Sequence, residues 1–171
     1  MADFPKVQQV PTKYLEQTIR DADARTVALI EGLDDNQLMG PRLGIVNPML
    51  WEIGHIAWFH EKFILRDRDQ RLPVLENVDA LYDSGAVAQA TRWDLDLPDL
   101  KATVKYRETI RDLIIERLDS DDLASVENSY FTQLTAFHED MHDEAFTCTR
   151  QIHGYPPPSF VEDVPVSIGE A

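Results

Sequence analysis

The stretch from about Leu123 to His153 restricts the fold more than any other part of the sequence. Its apolar side chains recur at steps of three or four residues, which is typical of a helix with one face packed in a bundle. They are Val126, Tyr130, Leu134, Phe137, Met141, Ala145, Cys148 and Ile152. Gly154 is a suitable left-handed cap, and the prolines that follow Tyr155 cannot continue a helix. The pattern predicts a long helix with Cys148 on its buried face.

Three earlier segments also carry helical periodicity. They run from about residue 12 to 32, from 48 to 66 and from 99 to 118. Asn47-Pro48 is a plausible start for the second, with asparagine capping the free amides and proline in the first turn. Since no segment shows sustained alternation or a tight hairpin signal, the sequence predicts an all-α fold. Residues 67–98 lack a sustained period and are expected to form a functional loop or a crossover that includes one short helix.

The length and composition favour one domain and restrict its partners. The chain has 171 residues, and we expect one helical domain over residues 1–160 and an extended tail or interdomain linker over 161–171. The formal charge of -15 disfavours nucleic acids and anionic membrane surfaces. Neither a signal peptide nor a long apolar run is visible, so we expect a cytoplasmic protein. A single cysteine excludes an intrachain disulfide and a cysteine-based zinc cluster.

The motif HEDMH, residues 138–142, is the strongest candidate for chemistry. Residues four apart on a helix lie one turn apart on the same face, so His138 and His142 can point at one ion. A third ligand has to come from another helix, and the second helix offers His55 and His60. Periodicity alone does not choose between them. A site with three histidines suits iron(II) with oxygen and substrate, or zinc with water.

Each of these residues also has a purely structural interpretation. A histidine pair among acids is often a solvated helix face. His60 is more often a hydrogen-bonded core histidine than a ligand. The nearby Trp51, Trp58 and Phe59 are typical of core packing. Spacing by itself therefore leaves metal binding and a plain polar face as even alternatives.

Two stretches resemble a known family: NPMLWEIGHIAWFHEKFIL (residues 47–65) and FHEDMHDEAF (residues 137–146). They are similar to the DinB-like four-helix domain at the N-terminus of ergothioneine-type sulfoxide synthases, which are non-heme iron enzymes. The specific parts are a Gly-His pair inside a Pro-x-x-Trp helix and a His-x3-His-x-Glu helix. The resemblance spans about residues 12–160. Residues 77–98 look like the branch that includes the selenoneine synthases.

The resemblance implies a site and a reaction. It implies that His55, His138 and His142 bind iron(II), and that Glu144 supports a histidine ligand from behind. The implied fold is a four-helix bundle with a long crossover between helices 2 and 3. The implied substrates are trimethylhistidine and a thiol or selenium donor, which the family joins in an oxygen-dependent reaction.

The family pattern continues into a domain that resembles the formylglycine-generating enzyme and supplies most of the substrate pocket. We therefore expect this chain to need such a domain or a partner for the full reaction. Two other functions stay open: a DinB-like hydrolase or thiol transferase that uses zinc or nickel, and a non-catalytic module that forms a homodimer.

Overall fold

The computed structural model describes residues 8–118 and 123–160, and the regular structure of this part of the chain is helical. A lone β-bridge joins Pro11 and Leu123. The α-helices are α1 (Thr12–Ile30), α2 (Asp35–Met39), α3 (Met49–His60), α4 (Val78–Tyr82), α5 (Leu100–Arg117) and α6 (Val126–His153). The predicted all-α class is confirmed. No helix in the described ranges combines the length and the apolar character that crossing a membrane would need.

The packing of the long helices places α3 in the middle of the molecule. Helix α1 lies along α6, while α3 packs against both α5 and α6. The largest apolar core surrounds α3 and includes Trp51, Trp58 and Tyr106. A second apolar cluster, which includes Ile53, Ile56 and Phe146, lies between α3 and α6. Side chains that leave α3 and α6 toward each other can therefore meet inside the protein.

Helix α6 buries a different face from the one that its apolar pattern predicted. The predicted stripe is largely exposed, with Phe137 61% and Met141 53% accessible, and Cys148 is exposed as well. The buried face is mostly polar: Ser129, Thr132, Thr135, Ala136, Glu139, His142, Asp143, Phe146, Thr149 and Arg150. This face can be buried because neighbouring helices supply hydrogen bonds, for example from Thr26 of α1 to Glu139. The hydrophobic periodicity of α6 contains no information about hydrogen-bond partners on other helices, so it could not predict this buried face.

The helices in the described ranges begin and end close to the predicted residues, but one of the two predicted caps does not form. Helix α3 begins after Pro48, and Asn47 makes no capping bond; its amide instead donates to the side chain of Glu52 at 2.9 Å. The predicted asparagine cap was wrong. After His60 the chain continues as a π-helix, Glu61–Arg66, so the helical segment ends where predicted. Gly154 has a φ of 67°, which confirms the left-handed cap of α6.

The crossover between α3 and α5 is partly ordered into short helices. It contains α4 and a 3₁₀-helix, Gln89–Asp94, which is one more than the sequence suggested. Tyr82, at the end of α4, is completely buried against α3. The crossover thus covers the face of α3 that carries His55. The predicted tail, residues 161–171, lies outside the described residues.

Candidate metal centre

Three histidines from α3 and α6 converge in the interior of the helical packing. The ring centroid of His55 lies 5.1 Å from that of His138 and 5.1 Å from that of His142, and the two α6 rings are 4.7 Å apart. One ring nitrogen of each histidine lies within 4.8 Å of a ring nitrogen of the others. The structure therefore brings together the three residues that the family resemblance selected. Their role as metal ligands stays a prediction.

Two tryptophan rings and one backbone carbonyl contact the ring of His55. The ring stacks on Trp51 with centroids 4.8 Å apart, and on Trp58 with centroids 5.6 Å apart. Its Nδ1 lies 2.8 Å from the carbonyl oxygen of Tyr82. Since a carbonyl only accepts hydrogen bonds, Nδ1 carries the proton and Nε2 keeps its lone pair. Burial lowers the pKa of His55 to about 4 in spite of this bond, so the ring is neutral at pH 7.

His138 lies at the edge of the site and is half-buried. Its ring stacks on Phe59 with centroids 3.6 Å apart. Burial, together with the nearby rings of His142 and His55, lowers the pKa of His138 to about 2. His138 is therefore neutral at pH 7. A neutral imidazole is the form in which histidine binds a metal.

Three buried ring nitrogens of the two α6 histidines have no hydrogen bond within the described part of the chain. No hydrogen bond from the described residues reaches Nδ1 of His138 or either ring nitrogen of His142. Buried polar atoms of this kind are rare in folded proteins because leaving them unpaired is unfavourable. A divalent transition metal would satisfy such nitrogens, and three imidazoles suit iron, zinc, nickel or copper. The residues present therefore fit a metal ion.

Comparison with known proteins agrees with this geometry. Residues 18–146 match the DinB superfamily, which is most of the chain. The chain belongs to the DinB superfamily. It is 29% identical over 132 residues to a hercynine oxygenase of Mycolicibacterium thermoresistibile, covering 76% of this chain and 29% of that protein. It is 30% identical over 125 residues to a hercynine oxygenase of Mycobacterium tuberculosis, covering 72% of this chain and 29% of that protein. The chain thus spans under a third of the length of these relatives.

His60, the alternative third ligand, does not join the triad in this DinB domain. It is buried, and its Nε2 lies 3.1 Å from a carboxylate oxygen of Glu139. Glu139 also accepts hydrogen bonds from Thr26 at 2.8 Å and from Arg107. Burial opposes the charge of Glu139, yet Arg107, His60 and Thr26 together lower its pKa to about 2. His60 is therefore a hydrogen-bonded core histidine, the structural interpretation that the sequence favoured.

The carboxylate nearest the triad is not the expected one. Glu144 is exposed, and its side chain makes no hydrogen bond or ion pair with the residues of the two described ranges. The reason is geometric: a residue two positions after His142 points about 200° away around the helix. Glu52 of α3 is buried instead, with one oxygen 3.4 Å from Nδ1 of His142. At that separation the two atoms do not form a hydrogen bond.

Glu52 is itself anchored from the loop before α3 and from the crossover. Asn47 donates to Glu52 at 2.9 Å, and Arg92 of the 3₁₀-helix donates to Asn47 at 2.7 Å. The guanidinium of Arg92 lies over the ring of Trp51, 3.7 Å from its centroid. Sequence reasoning missed Glu52 because it looked for a carboxylate beside the histidines on α6. Its position three residues before His55, on the ligand-bearing helix, is a signal that could have found it.

Proposed function

We propose that this DinB chain is the metal-binding part of an ergothioneine- or selenoneine-type synthase, with iron(II) held by His55, His138 and His142. The observation that carries the proposal is the convergence of three imidazoles. Two of them are neutral at pH 7, and two have buried ring nitrogens without a hydrogen bond from the described residues. The similarity to hercynine oxygenases supports iron as the metal. It also supports trimethylhistidine (hercynine) as a substrate.

The chemistry divides between the ion and the protein. Iron(II) with three protein ligands would supply an open redox centre for oxygen-dependent bond formation between a thiol or selenium donor and the imidazole carbon of trimethylhistidine. The chain itself supplies three imidazole nitrogens. Trp51 and Trp58 stack on the His55 ring, and the carbonyl of Tyr82 fixes its protonation.

We propose further that substrates bind only when another domain or partner covers the site. The exposed stripe of α6, represented by Phe137 and Met141, flanks the half-buried His138. Apolar side chains exposed in a row commonly mark a surface that another protein element covers. The relatives are more than three times as long as the region they share with this chain, so most of their sequence has no counterpart in the matched region.

Metal analysis of protein purified without oxygen tests the proposed site. We expect one iron(II) per chain after reconstitution, and loss of that iron when His55, His138 or His142 is replaced by alanine. His153→Ala is the matched control, because it removes a histidine from the far end of α6 and should keep full stoichiometry. Full stoichiometry in His138→Ala would contradict the proposal, as would the absence of binding in the unmodified chain.

The same preparation separates the alternative functions. Zinc or nickel retained through purification, together with oxygen-independent thiol transfer, would replace iron chemistry by a hydrolase or transferase. A metal-free chain that forms a homodimer would favour a non-catalytic module. Size-exclusion chromatography of the wild-type chain and of Phe137→Ala would show whether the exposed stripe mediates such self-association.

A further inference from the structure

The short helix of the crossover, α4, contacts one metal-ligand candidate through its backbone. The carbonyl oxygen of Tyr82 accepts from Nδ1 of His55 at 2.8 Å, and both residues are buried. A main-chain acceptor of this kind selects one tautomer, since only the ring with hydrogen on Nδ1 can donate to it. The position of α4 thus decides which nitrogen of His55 faces the other two histidines.

Two tryptophans on the same face of α3 hold α4 in place. The indole nitrogen of Trp51 donates to the carbonyl of Leu81 at 2.7 Å, and that of Trp58 donates to the carboxylate of Asp79 at 2.6 Å. Trp51, His55 and Trp58 are spaced by four and three residues, so all three point to one side of α3. One turn of α4 is therefore fixed at Asp79 and at Leu81, just before the residue whose carbonyl bonds His55.

Gly54 permits the close approach of α4 to α3. A Cβ atom placed on Gly54 would lie 2.2 Å from Cε1 and Cζ of Tyr82, which is far inside van der Waals contact. Tyr82 has no room to retreat, because its side chain is completely buried. Any larger residue at position 54 would displace either the Tyr82 ring or the backbone that carries its carbonyl.

We propose that α4 is a positioning element, which fixes His55 in the tautomer with hydrogen on Nδ1 and thereby presents Nε2 to the metal. Gly54 sets the distance of α4 from α3, and Asp79 is its outer anchor through Trp58 and through Arg66, which donates to Asp79 at 2.6 and 2.7 Å. This inference rests on the proposed metal site. It gives the crossover a role in the chemistry of that site.

Two measurements test the proposal, and the first needs no metal. Nitrogen-15 NMR of the metal-free chain distinguishes the two tautomers of each of the five histidines, with single histidine variants giving the assignment. We expect His55 with hydrogen on Nδ1. We expect the His55 signals to show a mixture of tautomers in Asp79→Ala, because this variant removes the hydrogen bonds of Asp79 with Trp58 and Arg66. Asp79 is partly exposed, so the variant should fold.

The second measurement is metal affinity. Loss of an outer partner of a metal-bound histidine typically weakens binding about 10- to 100-fold, and we expect a loss in this range for Asp79→Ala and for Gly54→Ala. Gly44→Ala is the control, because a Cβ there meets no atom within 4 Å. Titration with cobalt(II) would also report a changed ligand field in the visible spectrum. If Gly54→Ala does not fold, Asp79→Ala and Trp58→Phe carry the test.

The outcomes separate this inference from the proposed function. Hydrogen on Nε2 of His55 in the wild-type chain would overturn the inference whatever the metal result. Equal metal affinity and equal cobalt spectra in wild type and Asp79→Ala would also overturn it, while leaving the metal site intact. A wild-type chain that binds no metal would instead refute the proposed function, and the NMR result would still report the tautomer.

Discussion

The two faces of α6 reverse the usual arrangement of an amphipathic helix. One face, with Phe137 and Met141, is apolar and exposed, while the opposite face, with Glu139 and His142, is polar and buried. His138 lies at the border between them and is half-buried. An ordinary bundle helix would bury the apolar face. The reversal shows that α6 uses its interior face for polar contacts, while its apolar face stays exposed in the described part of the chain.

The buried face of α6 itself contains two kinds of polar group. Glu139 is satisfied by Thr26, His60 and Arg107, so it stabilises the packing of α6 against α1, α3 and α5. His142, one turn further on, has two ring nitrogens without a hydrogen bond in the described structure. Burial of a polar residue therefore does not by itself identify a candidate ligand. The proposed ligands on α6 differ from Glu139 because they have buried ring nitrogens without a hydrogen bond from the described residues.

The largest loss of stability is expected when Glu139, the hydrogen-bonded carboxylate of the buried face, is replaced. In Glu139→Ala, Arg107 loses its buried carboxylate partner and keeps, among the described residues, only its contacts with Asp23, whose carboxylate lies 3.1 Å away. Removing one partner of a buried pair typically costs about 3–5 kcal/mol, and the remaining contacts with Asp23 should place the loss toward the lower end of this range. Urea unfolding of the metal-free chain would measure this loss. Glu144→Ala is the control, because an exposed substitution usually changes stability by less than about 0.5 kcal/mol. A loss below about 1 kcal/mol for Glu139→Ala would mean that the buried network does not stabilise the fold.

The opposite pattern is expected at the triad, where stability should depend on metal. A ligand that binds only the folded chain at 100 times its dissociation constant adds about 2.7 kcal/mol to the free energy of unfolding. We expect this gain for wild type and for His153→Ala, its reversal by a chelator, and its absence in His138→Ala. Unfolding curves with and without metal would show it. An equal gain in His138→Ala would place the bound metal elsewhere.

The sequence predicted the helices well and their buried faces less well. Helix positions follow from spacing and end signals, and the left-handed cap at Gly154 was correct. The buried face of α6 could not be predicted from α6 alone, since the partners of its polar residues, such as Thr26 and Arg107, lie on other helices.

The candidate site, too, could not be predicted from the pattern of one helix alone. Periodicity left His55 and His60 open, and the family resemblance, which carries information about tertiary contacts, selected His55. Glu52 was missed because its proximity to His142 arises from the packing of α3 against α6. The pattern within one segment therefore predicts where a helix forms. Which polar side chains of that helix stay free to bind a ligand depends on the residues that neighbouring helices place against them.

A smaller effect, on metal affinity, is expected when Glu52 is replaced. Glu52 lies on α3, so it is neither a proposed ligand on α6 nor the hydrogen-bonded Glu139. Its oxygen lies 3.4 Å from Nδ1 of His142, and a metal on the other nitrogen of this ring would favour a formed hydrogen bond between them. We expect Glu52→Ala to weaken metal binding about 10- to 100-fold. Glu52→Gln keeps an accepting oxygen and should recover part of the affinity. Calorimetric titration would measure both, and unchanged affinity in Glu52→Ala would exclude this support.

The smallest effect is expected on the exposed face of α6. Phe137→Ala should change the free energy of unfolding by less than about 0.5 kcal/mol, because the side chain is 61% accessible. Phe146→Ala is the matched control on the buried face, and truncating a buried phenylalanine typically costs about 3–5 kcal/mol. Paired urea unfolding curves would measure the difference. Equal losses in the two variants would mean that Phe137 packs inside the folded chain, as its apolar spacing predicted. A small loss for Phe137 alone would leave the apolar stripe free to serve as a contact surface beside the metal site.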